Sequence, residues 1–296
     1  MKILALCVSF LAFSQAGVPA YVVNFEYDSR IVFNSNMGGN DDIYLLSRNR
    51  LENLTDDPAS DQWPVPDGKG EKLLFISNRF GNFDIFLMDL KSRKVERLTT
   101  DPRDEMAPSW SADGRFVYYE LVTKKNASQA MKLDILTRTS DSLLPKSPFS
   151  SSFGFFSSPR GEEIFFTGKV LLGWLVAKYT MTDGRYTKLT KTGSCRPKVS
   201  PDGAKIAYVC HDDDGLGDVF LMNPDGSGKV NVTPKRADSY DYYRCFSPAG
   251  DIIVFSSSPK SKGKNAYQLH TLDLKTGEVR KILTSEGIDS FPYWFK

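Results

Sequence analysis

A unit of about 45 residues recurs along this chain, and tandem repeats of that length leave few folds open. Ser35-Asn36-Met37-Gly38-Gly39-Asn40-Asp41-Asp42-Ile43-Tyr44-Leu45 aligns without a gap on Ser77-Asn78-Arg79-Phe80-Gly81-Asn82-Phe83-Asp84-Ile85-Phe86-Leu87, 42 residues later. Each stretch precedes a Leu-Thr pair, at Leu54-Thr55 and Leu98-Thr99, and a third copy runs from Asp218-Val219-Phe220 to Val232-Thr233. The second recurring element is a turn, clearest at Trp110-Ser111-Ala112-Asp113-Gly114, Ser200-Pro201-Asp202-Gly203 and Ser247-Pro248-Ala249-Gly250, with weaker copies at Gly70 and Gly161. Pro pre-sets one turn position and Gly supplies the position with φ > 0. An apolar residue three beyond each Gly opens a strand, which gives Ile31, Leu73, Val117, Ile164, Ile206 and Ile253 at spacings of 42, 44, 47, 42 and 47.

Each unit therefore reads as four short antiparallel strands: an inner strand, a Pro-Gly turn, an alternating strand, a polar turn, an Asp-Ile strand, and a last strand ending in Leu-Thr. Four strands per 40–50 residues is the period of a propeller blade. One such sheet cannot bury its apolar faces alone, so six must stack in a ring. The termini carry the signature of closure. Asp289-Ser290-Phe291-Pro292-Tyr293-Trp294-Phe295 matches the inner strand of the other units, and the first unit lacks one. The sequence predicts an all-β, six-bladed β-propeller over residues 21–296, with its split blade completed by the C-terminal strand.

Residues 1–20 read as an address. Lys2 supplies a positive start, Ile3 to Phe13 is an uncharged and mostly apolar stretch, and Ala16 and Ala20 follow as small residues suited to a signal peptidase. That stretch is about half the length of a membrane span, so cleavage and a periplasmic or secreted protein without stable membrane insertion are expected. With 38 Lys and Arg against 36 Asp and Glu, there is no global pull toward nucleic acid. Cys195, Cys210 and Cys245 are too few for a disulfide scaffold; Cys195 and Cys245 are offset by three residues within the repeat, and free buried thiols are expected.

These motifs resemble the TolB-like propeller repeat, whose usual form is Pro-x-Trp-Ser-Pro-Asp-Gly, an alternating strand, Ser-x-Arg, Asp-Ile-Tyr and a closing Leu-Thr. The resemblance covers nearly all of the chain beyond residue 20. Relatives of this repeat carry an N-terminal α/β domain or a hydrolase domain, for which the repeats leave no length. The resemblance implies a bare propeller, bacterial and periplasmic, but fold analogy does not name its partner; a protein or peptide, such as one of the envelope, is the expected kind.

The chemistry-bearing residues are sparse. His211 lies in a turn and His270 in a strand of another unit, whereas a histidine metal site or a catalytic triad needs them gathered. No Gly-x-Ser-x-Gly elbow, P-loop or Cys-x-x-Cys occurs. His211-Asp212-Asp213-Asp214-Gly215 lacks the alternation of a calcium loop and reads as a solvated turn. Asp42, Asp84 and Asp218 share one blade position and read as turn residues bonding nearby backbone N–H groups. Trp110, Phe246 and Trp294 share another, where side chains pack between blades, while Tyr240, Tyr242 and Tyr243 form a cluster that can face solvent. No catalytic residue, metal site or cofactor is assigned.

One register position stands out. Nine residues before each turn Gly, where the chain enters the inner strand, stand Asp61, Glu105, Ser152, Ser194 and Asp241, with Asp289 at the matching place in the last unit. Closure brings these six to one mouth of the channel. They predict a polar, negative rim, either binding a partner or capping the connections between blades. The leading expectation is a non-catalytic interaction protein gripping a peptide or protein at that mouth. The alternatives are an enzyme acting on carbohydrate or peptide through rim acids, and a propeller binding a small ligand or cation.

Overall fold

The computed structural model describes residues 10–11, 21–124, 127–211, 215–233 and 238–296. The candidate signal peptide lies outside these residues, apart from Phe10–Leu11, as do Asp212, Asp213 and Asp214. Six four-stranded antiparallel sheets follow one another along the chain. Blade 1 is Asp289–Phe295, Arg30–Ser35, Asp42–Ser47 and Arg50–Asn53; blade 2 is Asp61–Pro66, Lys72–Ser77, Asp84–Asp89 and Val95–Arg97. Blade 3 is Glu105–Trp110, Phe116–Lys124, Ala127–Asp134 and Ser140–Ser142; blade 4 is Ser152–Ser157, Glu163–Val170, Gly173–Thr180 and Arg185–Lys188. Blade 5 is Ser194–Val199, Ile206–Cys210, Asp218–Met222 and Val230–Asn231; blade 6 is Ser239–Phe246, Ile252–Pro259, Gln268–Asp273 and Val279–Lys281. A further small sheet pairs Phe10–Leu11, Tyr21–Val23 and Leu283–Ser285.

The ring closes where the interrupted repeat predicts. Asp289 pairs with Ser35, Trp294 with Ile31 and Phe295 with Arg30. Trp294 Nε1 donates to Ser29 Oγ at 2.7 Å, and Arg30 Nε donates to the carbonyl of Lys296 at 2.9 Å. An antiparallel ladder plus these end contacts ties the two termini into one sheet.

Stacking between blades explains the apolar pattern, and it departs from the expected alternation. The second strand of a blade is covered on both faces by its neighbours, so it reads as a continuous apolar run: Leu73, Leu74, Phe75 and Ile76 are all fully buried. The outermost strands, such as Ser140–Ser142, are exposed and polar. Cys195, Cys210 and Cys245 are buried and carry no disulfide. Phe246 and Trp294 are buried between blades, and Trp110 spans a blade junction through Nε1 to the Val65 carbonyl at 3.1 Å.

The Leu-Thr signal has a defined use. Thr55, Thr99, Thr190 and Thr233 accept, through Oγ1, the backbone N–H of Ile43, Ile85, Val176 and Val219 at 2.9–3.0 Å. The outer strand is thereby latched to the start of the third. The preceding aspartates join the same latch, and Asp42 also accepts the backbone N–H of Asp57 at 3.4 Å, the kind of bond expected of it. Asp42 accepts from Asn53 and Thr55 at 3.0 Å each, Asp218 from Asn231 at 2.9 Å, and Asp84 pairs with Arg97 at 2.7 Å.

Candidate functional site

Five of the six register residues open the inner strands of their blades and Asp241 is the third residue of Ser239–Phe246, but all six are buried, from 0 % exposed for Asp61, Asp241 and Asp289 to 4 % for Ser152. The expectation of an exposed negative rim needs correcting on that point. The backbone gives the reason: the N–H groups of Asp61, Glu105, Asp241 and Asp289 donate at 2.7–3.1 Å to carbonyls of Asp41, Phe83, Gly217 and Tyr267 in the preceding blade. In these four blades the register residue of the inner strand is therefore pinned at a blade junction.

Their side chains turn to internal partners. Arg79 Nη2 donates to both oxygens of Asp61 at 3.1 and 3.0 Å, Ser257 Oγ donates to Asp241 at 2.6 Å, and Ser285 Oγ lies 2.9 and 3.0 Å from Asp289. Ser194 donates to Cys210 Sγ at 3.6 Å, and the Ser152 carbonyl accepts from Ser128 Oγ at 3.2 Å. Glu105 Oε2 has no hydrogen-bond partner. Burial pushes Glu105 and Asp289 each up to about 7, and raises Asp61 less, because Ser77 and Arg79 oppose it.

Two residues further along, every inner strand breaks register. The bulged residues are Trp63, Ala107, Gly154, Arg196, Tyr243 and Phe291, with φ between +49° and +64°. Five of the six are not glycine, and a left-handed backbone costs an ordinary residue about 1–2 kcal/mol. Strain repeated around one ring, on side chains this large, is the pattern of a functional site. Pro64, Pro108, Pro197 and Pro292 follow four of these bulges. The inner strand is the free edge of its blade, where a residue without an N–H leaves no donor unpaired.

The bulges gather aromatic rings and one guanidinium at the mouth. Trp63 and Phe291 meet edge to face at 4.7 Å, Phe291 and Tyr243 lie 4.0 Å apart, and the Arg196 guanidinium sits 5.2 Å from Tyr243 and 5.5 Å from Phe153. This belt spans five blades and lines a chamber of about 90 Å³. The chamber narrows to a neck of Val65, Phe156, Lys198 and Tyr293, beyond which a vestibule of about 500 Å³ opens among the Pro-Gly turns. Tyr242 of the tyrosine cluster is buried, whereas Tyr243 lines the chamber.

The charge of this wall is positive. Arg196, Lys198 and Arg244 line the chamber, and no carboxylate does. Asp67 is the acid on the vestibule. Desolvation lowers Lys198 to about 8 and Arg244 to about 9. The histidines stay apart, and both ring nitrogens of His211 are engaged: Nδ1–H donates to the Gly193 carbonyl at 2.9 Å, leaving Nε2 to accept from the Tyr242 hydroxyl. Among the described residues, no group of three or more His, Cys, Asp or Glu is arranged to hold a metal ion.

Of the belt, only Tyr243 stood out in the sequence, through its tyrosine cluster; Trp63, Arg196 and Phe291 did not. The position seven before each turn Gly holds Trp63, Ala107, Gly154, Arg196 and Tyr243, which share no chemistry. Diversity at a fixed register position was the available signal, since a position that packs between blades is more uniform.

A scan against protein-family models finds no match. Among curated proteins, the chain is 22% identical over 257 residues to the Tol-Pal system protein TolB of Francisella tularensis, covering 82% of this chain and 55% of that protein. It thus spans about half the length of the curated relatives it matches. The crystal structure of TolB from Acinetobacter baumannii superposes with a TM-score of 0.78 at 18% identity, over 92% of this chain and 68% of that one. An oligogalacturonate lyase in complex with manganese superposes with a TM-score of 0.56 at 16% identity, over 88% and 75% of the two chains. No helix among the described residues is long and apolar enough to cross a membrane.

Proposed function

We propose that this TolB-like six-bladed propeller is a non-catalytic interaction module of the bacterial cell envelope, exported by the signal in residues 1–20, that binds a peptide segment of a protein partner at the mouth ringed by Trp63, Arg196, Tyr243 and Phe291. The observation that carries this reading is the strained aromatic belt. Trp, Tyr and Arg are the residue types that concentrate binding energy in protein interfaces, and here the bulges hold them in fixed positions, which limits the ordering cost of binding. Size favours a side chain in the belt itself: its chamber of about 90 Å³ falls well below the ~300–1,000 Å³ of small-molecule pockets, a range that the vestibule of about 500 Å³ beyond the neck does reach.

The six register residues enter this reading as support. Asp61, Glu105, Asp241 and Asp289 pin the strand two residues before the bulge, and Ser152 and Ser194 hold the same register position through the Ser128 and Cys210 contacts, so the six position the belt without touching the partner. A carbohydrate- or peptide-acting enzyme is the second reading, and the likeness to the lyase favours it. It asks for an acid–base pair at the chamber, where Lys198, with a pKa of about 8, is the group nearest a working value.

Replacing Tyr243 and Phe291 together by Ala is the test. Partner capture from envelope extract is expected to fall at least tenfold, about 1.4 kcal/mol or more, with the fold intact by circular dichroism. Undiminished capture by the folded double variant contradicts the reading. Turnover of pectic oligosaccharides that is abolished in Lys198→Met supports the enzyme instead.

A further inference from the structure

Three cations, Lys198 at the neck and Arg196 and Arg244 on the chamber beside it, form no ion pair with a described residue. Lys198 Nζ lies 3.9 Å from the centroid of the Phe156 ring and 4.1 Å from that of Tyr293, and it has no hydrogen bond or ion pair to a described residue. Arg244 is 2 % exposed; its Nη2 donates to the carbonyls of Cys195 and Ala207 at 3.3 Å each, while Nε has no partner. Arg196 makes one weak contact, to Cys195 Sγ at 3.7 Å, and otherwise faces rings. Glu120 is the acid whose field reaches Arg196, and it stands beyond the 4 Å of an ion pair.

A buried cation without an anion is costly, and ring faces offset only part of that cost. Arg244 is buried in this sense, Lys198 and Arg196 are half-buried beside it, and the like charges also repel one another. The arrangement is complete only when a negative group lies among them. The chamber has room for a few water molecules or one small group, which excludes a bulky polyanion. A guanidinium fork and an ammonium together suit a planar oxyanion.

We propose that the neck of the channel is a carboxylate-binding site, in which Lys198 and Arg244, with Arg196 at the outer wall, hold one carboxylate of a ligand entering through the chamber. The carboxylate can be borne by a peptide or by a free small acid. The site does not depend on the partner reading above, because either source fills it.

The groups facing Lys198 are Arg196 on its own strand, Tyr243, Arg244 and Cys245 on the inner strand of blade 6, and Tyr293 of blade 1, with Asp67 of blade 2 across the vestibule. Blade 4 contributes Phe153 and Phe156, which do not titrate. Lys198, held down to about 8, is the group that changes charge just above neutrality. Carboxylate binding is therefore full well below pH 8, weakens through pH 8 by up to tenfold per pH unit, and falls more steeply above about pH 9, where Arg244 also loses its charge.

Thermal unfolding and calorimetry on the full chain test the site with three probes: acetate against chloride at equal ionic strength, a hexapeptide ending in Glu, and the same hexapeptide with both terminal carboxyls amidated. Saturating acetate, or the acidic hexapeptide, is expected to raise the melting temperature by about 2 °C. The response should vanish in Lys198→Met and Arg244→Met, persist in Lys264→Ala, and shrink from pH 7 to pH 9.5. A response to acetate identifies a free acid as sufficient, and a response confined to the acidic hexapeptide identifies a peptide-borne carboxylate. Equal binding of the acidic and amidated hexapeptides overturns the carboxylate site while leaving the partner reading standing. So does a wild-type response that survives in both Met variants, or no response to either carboxylate probe.

Discussion

Glu105 and Asp289 are buried carboxyls whose pKa values stand near 7, above the ordinary carboxylate range. The native state therefore holds protons that the unfolded chain has released. Their contribution to stability is full below about pH 4 and is lost as the pH rises through about 7. Replacing both with amides (Glu105→Gln, Asp289→Asn) removes that dependence. Relative to wild type, the double variant is expected to gain about 6 kcal/mol between pH 4.5 and 8, about 3 kcal/mol from each carboxyl, read from urea unfolding at the two pH values. A wild-type and variant difference that does not change with pH contradicts the assignment. The sequence showed where these acids enter their strands but not that they are covered, because exposure at that point depends on how tightly adjacent blades pack.

At the scale of the element, the inner-strand bulge is the feature with functional weight. Gly154 is the one glycine among the six bulged positions, and a Cβ there meets nothing nearer than Phe156 at 4.0 Å. Gly154→Ala is expected to cost only the left-handed backbone penalty, about 1 kcal/mol, with the fold retained as in the five blades that already carry side chains there. A loss above about 3 kcal/mol in chemical denaturation shows that the space is not free. The bulge was not legible in the sequence, since Pro64, Pro108, Pro197 and Pro292 look like ordinary strand edges. The Leu-Thr latch was legible as a recurrence, yet its mechanism was not: which donor Thr99 Oγ1 accepts from depends on the ladder that brings Ile85 beside it.

Across the whole molecule, repeat spacing and the split blade were enough to predict the six-bladed ring, because a repeated sheet with two apolar faces has no other way to cover both. The sign of the channel was not predictable from the net charge of +2, since Arg196, Lys198 and Arg244 converge only after closure. Deleting residues 288–296 removes the inner strand of blade 1, bares the edge at Arg30–Ser35 and uncovers the partners of Trp294. That truncation is expected to cost about 5 kcal/mol or more and to broaden the unfolding transition. An unchanged, sharp transition contradicts ring closure by this strand.

Binding at the belt is the central claim, and site-specific photocrosslinking tests it most directly. A photoreactive phenylalanine analogue at position 291 lies on the chamber, whereas the same analogue at Leu136, which is 76 % exposed on an outer turn of blade 3, lies away from it. Irradiation in envelope extract is expected to give a discrete protein adduct from position 291 and none from position 136. Adducts of the same protein from position 136 alone, or equally from both, would contradict a partner seated at the channel mouth.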